Sequence, residues 1–147
     1  MLWGEKIIGA NQGGTVEAEG VKFTLVHAEH SCGITEDGGV IYGGDACGLV
    51  IEFENGFQVY FAGDTDVFGD MALIKELANF DVAFLPIGGF YTMDPERAAK
   101  AVKLLGVKTV VPMHFATFPI LSGRPDQLQE LVGNAVRVLD VKPGDTV

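Results

Sequence analysis

Residues 81–112 contain Asp81-Val82-Ala83-Phe84-Leu85-Pro86-Ile87, then Asp94-Pro95-Glu96 opening a run to Gly106, then Lys108-Thr109-Val110-Val111-Pro112. The first segment is a short apolar run and predicts a strand. Asp94 is a good N-cap, and Pro95 suits the first helical position. Ala98, Ala101, Val102 and Leu105 then fall on one helical face, and Gly106 ends the helix. The third segment predicts another strand. A helix between two strands is the repeating unit of an α/β fold.

The same alternation extends outward. Asp70 to Phe80 places Met71, Leu73, Ile74 and Leu77 at helical spacing. Arg124-Pro125-Asp126 opens a third helix through about Val132, and Ala135 to Val141 reads as a last strand. Upstream the pattern is different. Lys6 to Ala10, Thr15 to Ala18, Val21 to Val26, Leu49 to Phe53 and Phe57 to Phe61 read as strands. Glu54-Asn55-Gly56 joins the last two as a hairpin. The Gly-rich stretch from Cys32 to Cys47 reads as a long excursion, a lid over a site. Residues 1–147 are expected to form one α/β unit, an antiparallel meander followed by strand–helix alternation.

Apolar residues make up 48% of the 147 and charged residues 20%, which excludes charge-driven disorder. No apolar run reaches the ~18 residues of a membrane span, and the N-terminus has no secretory pattern. The expectation is a cytoplasmic protein. Its formal charge of −10, with no basic stripe, argues against nucleic acid as a partner. Cys32 and Cys47 match no zinc-ribbon spacing. They read as two free buried thiols, with a disulfide or a metal role as alternatives.

Ligand-type side chains gather at three strand ends: His27-Ala28-Glu29-His30-Ser31, Gly63-Asp64-Thr65-Asp66, and Pro112-Met113-His114-Phe115. Sites form beyond strand ends, where loops converge. Histidine and aspartate suit zinc and similar ions. Each residue also has a plainer reading. If the strand runs on, His27 and His30 point to opposite faces, so only one of them faces a site. Asp64 could make an Asx turn. His114 could be a hydrogen-bonded core histidine, and Glu29 a solvated carboxylate. Ser31 follows His30 directly, which does not give the geometry of a nucleophilic triad.

The ordered set His30-Ser31-x-Gly33-Ile34, Ile41-Tyr42-Gly43-Gly44, Ala62-Gly63-Asp64-Thr65, Leu85-Pro86-Ile87-Gly88 and Pro112-Met113-His114-Phe115-x-Thr117-Phe118-Pro119 resembles the metallo-β-lactamase-fold hydrolases. The nearest branch is the metal-dependent hydrolases related to ascorbate-6-phosphate lactonase. The resemblance covers about Val16 to Gly144. It implies an αββα sandwich with a centre of two divalent transition-metal ions, zinc first, with manganese, iron or nickel as alternatives. By motif, His30 ligates one metal, Asp64 bridges both, and His114 ligates the other. Thr65 and Thr117 would support the site or touch substrate. The metals would activate water against an ester, lactone or phosphoester bond in a small molecule.

One element of the family pattern is missing. Such proteins carry H-x-H-x-D-H in their first half, and this sequence has no such motif. On the resemblance, the chain corresponds to the C-terminal part of the αββα sandwich. A half-sandwich would leave an apolar sheet face uncovered. The leading expectation is therefore a metal-dependent hydrolase completed by an N-terminal half carrying H-x-H-x-D-H. The alternative is a catalytically inactive half-domain that acts as a binding module or homo-oligomer through the uncovered face. A mononuclear site of His30, Asp64 and His114 is a third reading.

Overall fold

The computed structural model describes residues 7–142 and 144–146. The elements run β1 (Thr15–Ala18), β2 (Val21–His27), β3 (Gly33–Glu36), β4 (Gly39–Tyr42), β5 (Cys47–Glu52), β6 (Gln58–Phe61), α1 (Met71–Leu77), β7 (Val82–Pro86), α2 (Pro95–Leu105), β8 (Thr109–Met113), α3 (Pro125–Val132) and β9 (Arg137–Val138), with a 3-10 turn at Gly133–Ala135. The main sheet has the order β1-β2-β5-β6-β7-β8-β9. Pairing is antiparallel from β1 to β6 and parallel from β6 to β9. The meander and the strand–helix alternation are therefore two halves of one sheet.

Local chemistry explains the matches. Asp94 caps α2 by accepting a hydrogen bond from the Arg97 amide at 2.8 Å, and Gly106 closes it in the left-handed conformation. At the Glu54-Asn55-Gly56 turn, Gly56 has φ +81° and the Asn55 side chain accepts from the Phe57 amide. Two expected strands come out differently. Residues 7–10 form no strand, and Lys6 lies outside the described residues. Ala135 to Val141 shortens to β9: the 3-10 turn takes up its first residue, and residues 139–141 form no strand.

The Cys32–Cys47 excursion is corrected more deeply. Eight of its residues form a second sheet, the β3–β4 ribbon. Asp37 (φ +48°) and Gly38 (φ +80°) make its two-residue turn. Asp-Gly between apolar residues is a strong hairpin signal, here hidden within a glycine-rich stretch. The two cysteines are free, as expected, but exposed rather than buried.

The period-2 alternation of the strands separates two faces. Tyr60, Ala83, Leu85 and Val110 join Met71, Ile74, Ala98, Ala101, Leu105 and Leu128 of the helices in the main core. The opposite side chains, Val59, Val82 and Val111 with Ile51, Phe84 and Leu139, pack only among themselves. They line a shallow groove of about 1050 Å³ with no helix over it. All three helices thus cover one face, and the other is open among the described residues.

Tyr60 is fully buried, and its hydroxyl has no hydrogen-bond partner among the described residues. Burial pushes its phenol above the ordinary tyrosine range. An unpaired buried hydroxyl costs about 1–3 kcal/mol. Tyr60→Phe is therefore expected to raise stability by about 1 kcal/mol in urea denaturation. The raised pKa also has a sign: above about pH 10 the unfolded phenol ionises while the buried one resists. Stability should fall as pH rises past about 10, and Tyr60→Phe should lessen that fall. An unchanged or lowered urea midpoint would show that the hydroxyl has a partner.

Candidate functional site

β2 and β6 are both antiparallel to β5, so they run in the same direction, and β7 and β8 run parallel to β6. The C-terminal ends of β2, β6, β7 and β8 therefore lie along one edge of the sheet. The three ligand-bearing segments follow β2, β6 and β8. Backbone contacts hold them together. The Asp66 amide donates to the Glu29 carbonyl at 3.0 Å, and the Met93 amide to the Thr65 carbonyl at 3.2 Å. The Ile87 amide donates to the Met113 carbonyl at 3.0 Å.

Asp64 and His114 are brought together. His114 Nε2 stands 3.8 Å from Asp64 Oδ2, with the side chains 28% and 49% exposed. That is too long for a hydrogen bond. Two ligands on one tetrahedral zinc ion stand roughly 3.4 Å apart, from metal–ligand bonds near 2.0–2.1 Å. His114 has φ +54°, a left-handed conformation rare outside glycine and found at functional sites. Its Nδ1 is buried with no partner among the described residues, unlike a hydrogen-bonded core histidine. Gly88 lies against the His114 carbonyl where a Cβ would collide with it. This explains the glycine of Leu85-Pro86-Ile87-Gly88.

His30 does not join the pair. Its Nδ1 lies 2.8 Å from the Ser31 carbonyl and its Nε2 3.2 Å from the Tyr91 carbonyl. With both nitrogens facing carbonyl oxygens, a metal would need the ring to turn. β2 ends at His27, so strand alternation does not reach His30. His27 and His30 instead border the same cavity of about 560 Å³, beneath the β3–β4 ribbon. His27 meets the Glu29 carboxylate at 3.4 Å and the Phe68 ring edge-on. In that cavity Tyr42 donates to Asp45, whose carboxylate raises the phenol above its ordinary range.

Thr65 is buried. Its hydroxyl accepts from the Glu29 amide at 2.9 Å and donates to the Asp66 carbonyl at 2.7 Å, tying the β2 and β6 loops together. Thr117 is exposed on the loop after β8. The side-chain contact to a neighbouring amide in this region belongs to Asp66, whose Oδ1 accepts from the Val67 amide at 2.8 Å. Arg97, overlooked in the sequence, reaches the same Asp66 oxygen at 3.6 Å. Its signal was its place in the first turn of a helix that follows a site loop.

An imidazole nitrogen, a carboxylate oxygen and an unpartnered second ring nitrogen are chemically suited to a divalent transition metal. Among the described residues, no group of three or more His, Cys, Asp or Glu side chains is placed to share an ion. The fit is therefore that of two ligands, one fewer than a catalytic zinc usually takes from protein.

The sequence pattern of the family described as the beta-lactamase superfamily domain matches residues 3–115. The chain belongs to the beta-lactamase superfamily. A relative from Koribacter versatilis named as a UPF0173 metal-dependent hydrolase is 50% identical over 92% of this chain. One of the same family name from Solibacter usitatus is 49% identical over 93%. Among solved structures, a metallo hydrolase of the hyperthermophilic archaeon Ignicoccus hospitalis superposes with a TM-score of 0.78 at 41% identity, over 95% of this chain. The chain spans 58% and 60% of the length of the two curated relatives and 59% of that structure. The metallo-β-lactamase fold expected from the motifs is thus confirmed. No helix among the described residues is long and apolar enough to cross a membrane.

Proposed function

We propose that this chain carries part of a metal-dependent hydrolase centre acting on an ester, lactone or phosphoester bond. The observation that carries the reading is the approach of His114 to Asp64 at the sheet edge, with the His114 backbone held in a strained conformation. Asp64 and His114 would be metal ligands, and His30 a third after its ring turns. In the binuclear form Asp64 would bridge two ions. When bound, such ions polarise the scissile bond and supply hydroxide near neutral pH. Thr65 fixes the geometry of the loop that bears Asp64, and Thr117, exposed on the loop after β8, would touch substrate.

We further propose that a segment carrying H-x-H-x-D-H supplies the remaining ligands and covers the open sheet face. Two ligands are too few for a catalytic zinc, and a groove of about 1050 Å³ lined by valines and phenylalanines needs a cover. The open face also favours a second reading, in which copies of the chain associate through it without catalysis.

Chelation tests the catalytic reading. Dialysis against a chelator should abolish hydrolysis of 4-nitrophenyl esters by the protein as isolated, and zinc or manganese should restore it. Hydrolysis that survives chelation would overturn the metal-dependent reading, and no hydrolysis at any metal loading would leave the self-associating reading in its place.

A further inference from the structure

The loops that flank Asp64 and His114 present aromatic rings to solvent. Phe90 is 69% exposed, Tyr91 56% and Phe118 61%. Phe90 lies two residues after Gly88, the glycine pressed against His114, and its own φ is +54°. A phenylalanine in that region is strained. The strain is held in place: the Gly89 amide donates to the Met93 carbonyl at 2.9 Å, and the Met93 amide reaches Thr65, next to Asp64. The Phe90 and Tyr91 rings meet edge-to-face at 4.7 Å, a rigid apolar surface. The Tyr91 carbonyl faces His30. Phe118 lies four residues beyond His114, on a loop with a second left-handed residue, Ala116 at φ +57°.

Among the described residues, two arginines near this edge are paired with carboxylates. Arg97 faces Asp66, and Arg124, at the start of α3, lies 3.1 Å from Asp126. Phosphate recognition relies on free, often bidentate, Arg or Lys contacts. The protein carries a formal charge of −10, so its field repels anions as well.

We infer that Phe90, Tyr91 and Phe118 form the subsite for an apolar acyl or aryl group, making the substrates uncharged carboxylic esters or lactones rather than phosphoesters. The inference rests on the hydrolytic reading above and narrows it. In the reaction the acyl C–O bond breaks, a water oxygen bonds to the acyl carbon, and the proton goes to the departing oxygen.

The test uses the protein as isolated and three substrates: 4-nitrophenyl acetate, 4-nitrophenyl hexanoate and bis(4-nitrophenyl) phosphate. The hexanoate should exceed the acetate in kcat/KM, and the phosphodiester should be slowest. Phe90→Gly removes the ring and suits the positive φ, so the fold should hold. This variant and Phe118→Ala should each shrink the hexanoate-to-acetate ratio by about tenfold. An independent readout is amide NMR with acetanilide and with phenyl phosphate. Acetanilide should shift residues 88–93 and 114–121, and phenyl phosphate should not. A preference for the phosphodiester, or an acyl ratio unmoved in both variants, overturns the subsite while the hydrolytic reading stands. Acetanilide binding at these loops without hydrolysis of any substrate overturns the hydrolytic reading instead, and with it the substrate class.

Discussion

Gly88→Ala is expected to destabilise this protein by about 3 kcal/mol, near the upper end for overpacking a rigid site. A Cβ there would collide with the His114 carbonyl and crowd the Leu121 Cβ at 3.3 Å. The first of these is backbone and belongs to a residue whose φ is already strained, so neither partner yields cheaply. For a chain of this size the loss corresponds to roughly 6–12 °C in Tm. Because the displaced atom is the carbonyl of His114, metal retention should fall along with stability. Gly69 is the control: a Cβ there meets nothing within 4 Å. Gly69→Ala should stay within about 0.5 kcal/mol of the parent. Equal thermal midpoints for the two variants would show that the β7–β8 loops are not packed as described.

Asp64→Asn should leave the fold intact and remove hydrolysis. The Asp64 side chain is 49% exposed and, among the described residues, its one close charged contact is His114 at 3.8 Å, so the isosteric amide should change stability by no more than about 0.5 kcal/mol. The amide lacks the charge that would hold the proposed metal. Lewis-acid assistance from a metal amounts to several kcal/mol, so kcat/KM should fall at least ~100-fold, about 2.7 kcal/mol. Metal content by elemental analysis should fall in parallel. Full metal content and full rate in Asp64→Asn would remove Asp64 from the centre.

Much of the fold was legible because its signals are local. Asp94, Pro95 and Gly106 bound α2 through their own backbone chemistry, and Asn55-Gly56 makes its turn unaided. The β3–β4 ribbon was missed because all its positions are exposed, so no buried face imposes an alternation. β9 is shorter than its apolar pattern suggests: a 3-10 turn takes Ala135, and residues 139–141 leave the strand. At the site, the strand-end positions of Asp64 and His114 were readable from sequence. Their approach was not, because it depends on the Gly88–His114 backbone contact between neighbouring strands. His30 shares the edge, but its ring is turned to the Ser31 and Tyr91 carbonyls, a choice that no spacing rule encodes. The exposure of Cys32 and Cys47 also went unseen, since free cysteines are usually buried.

The central claim is that Asp64 and His114 are part of a metal centre completed by a second segment lying on the open sheet face. Native mass spectrometry of the protein as isolated tests it most directly, because it reports bound chains and bound metal together. The account predicts a complex with a second, lighter chain bearing H-x-H-x-D-H and about two transition-metal ions. A bare monomer or homodimer without metal would contradict it.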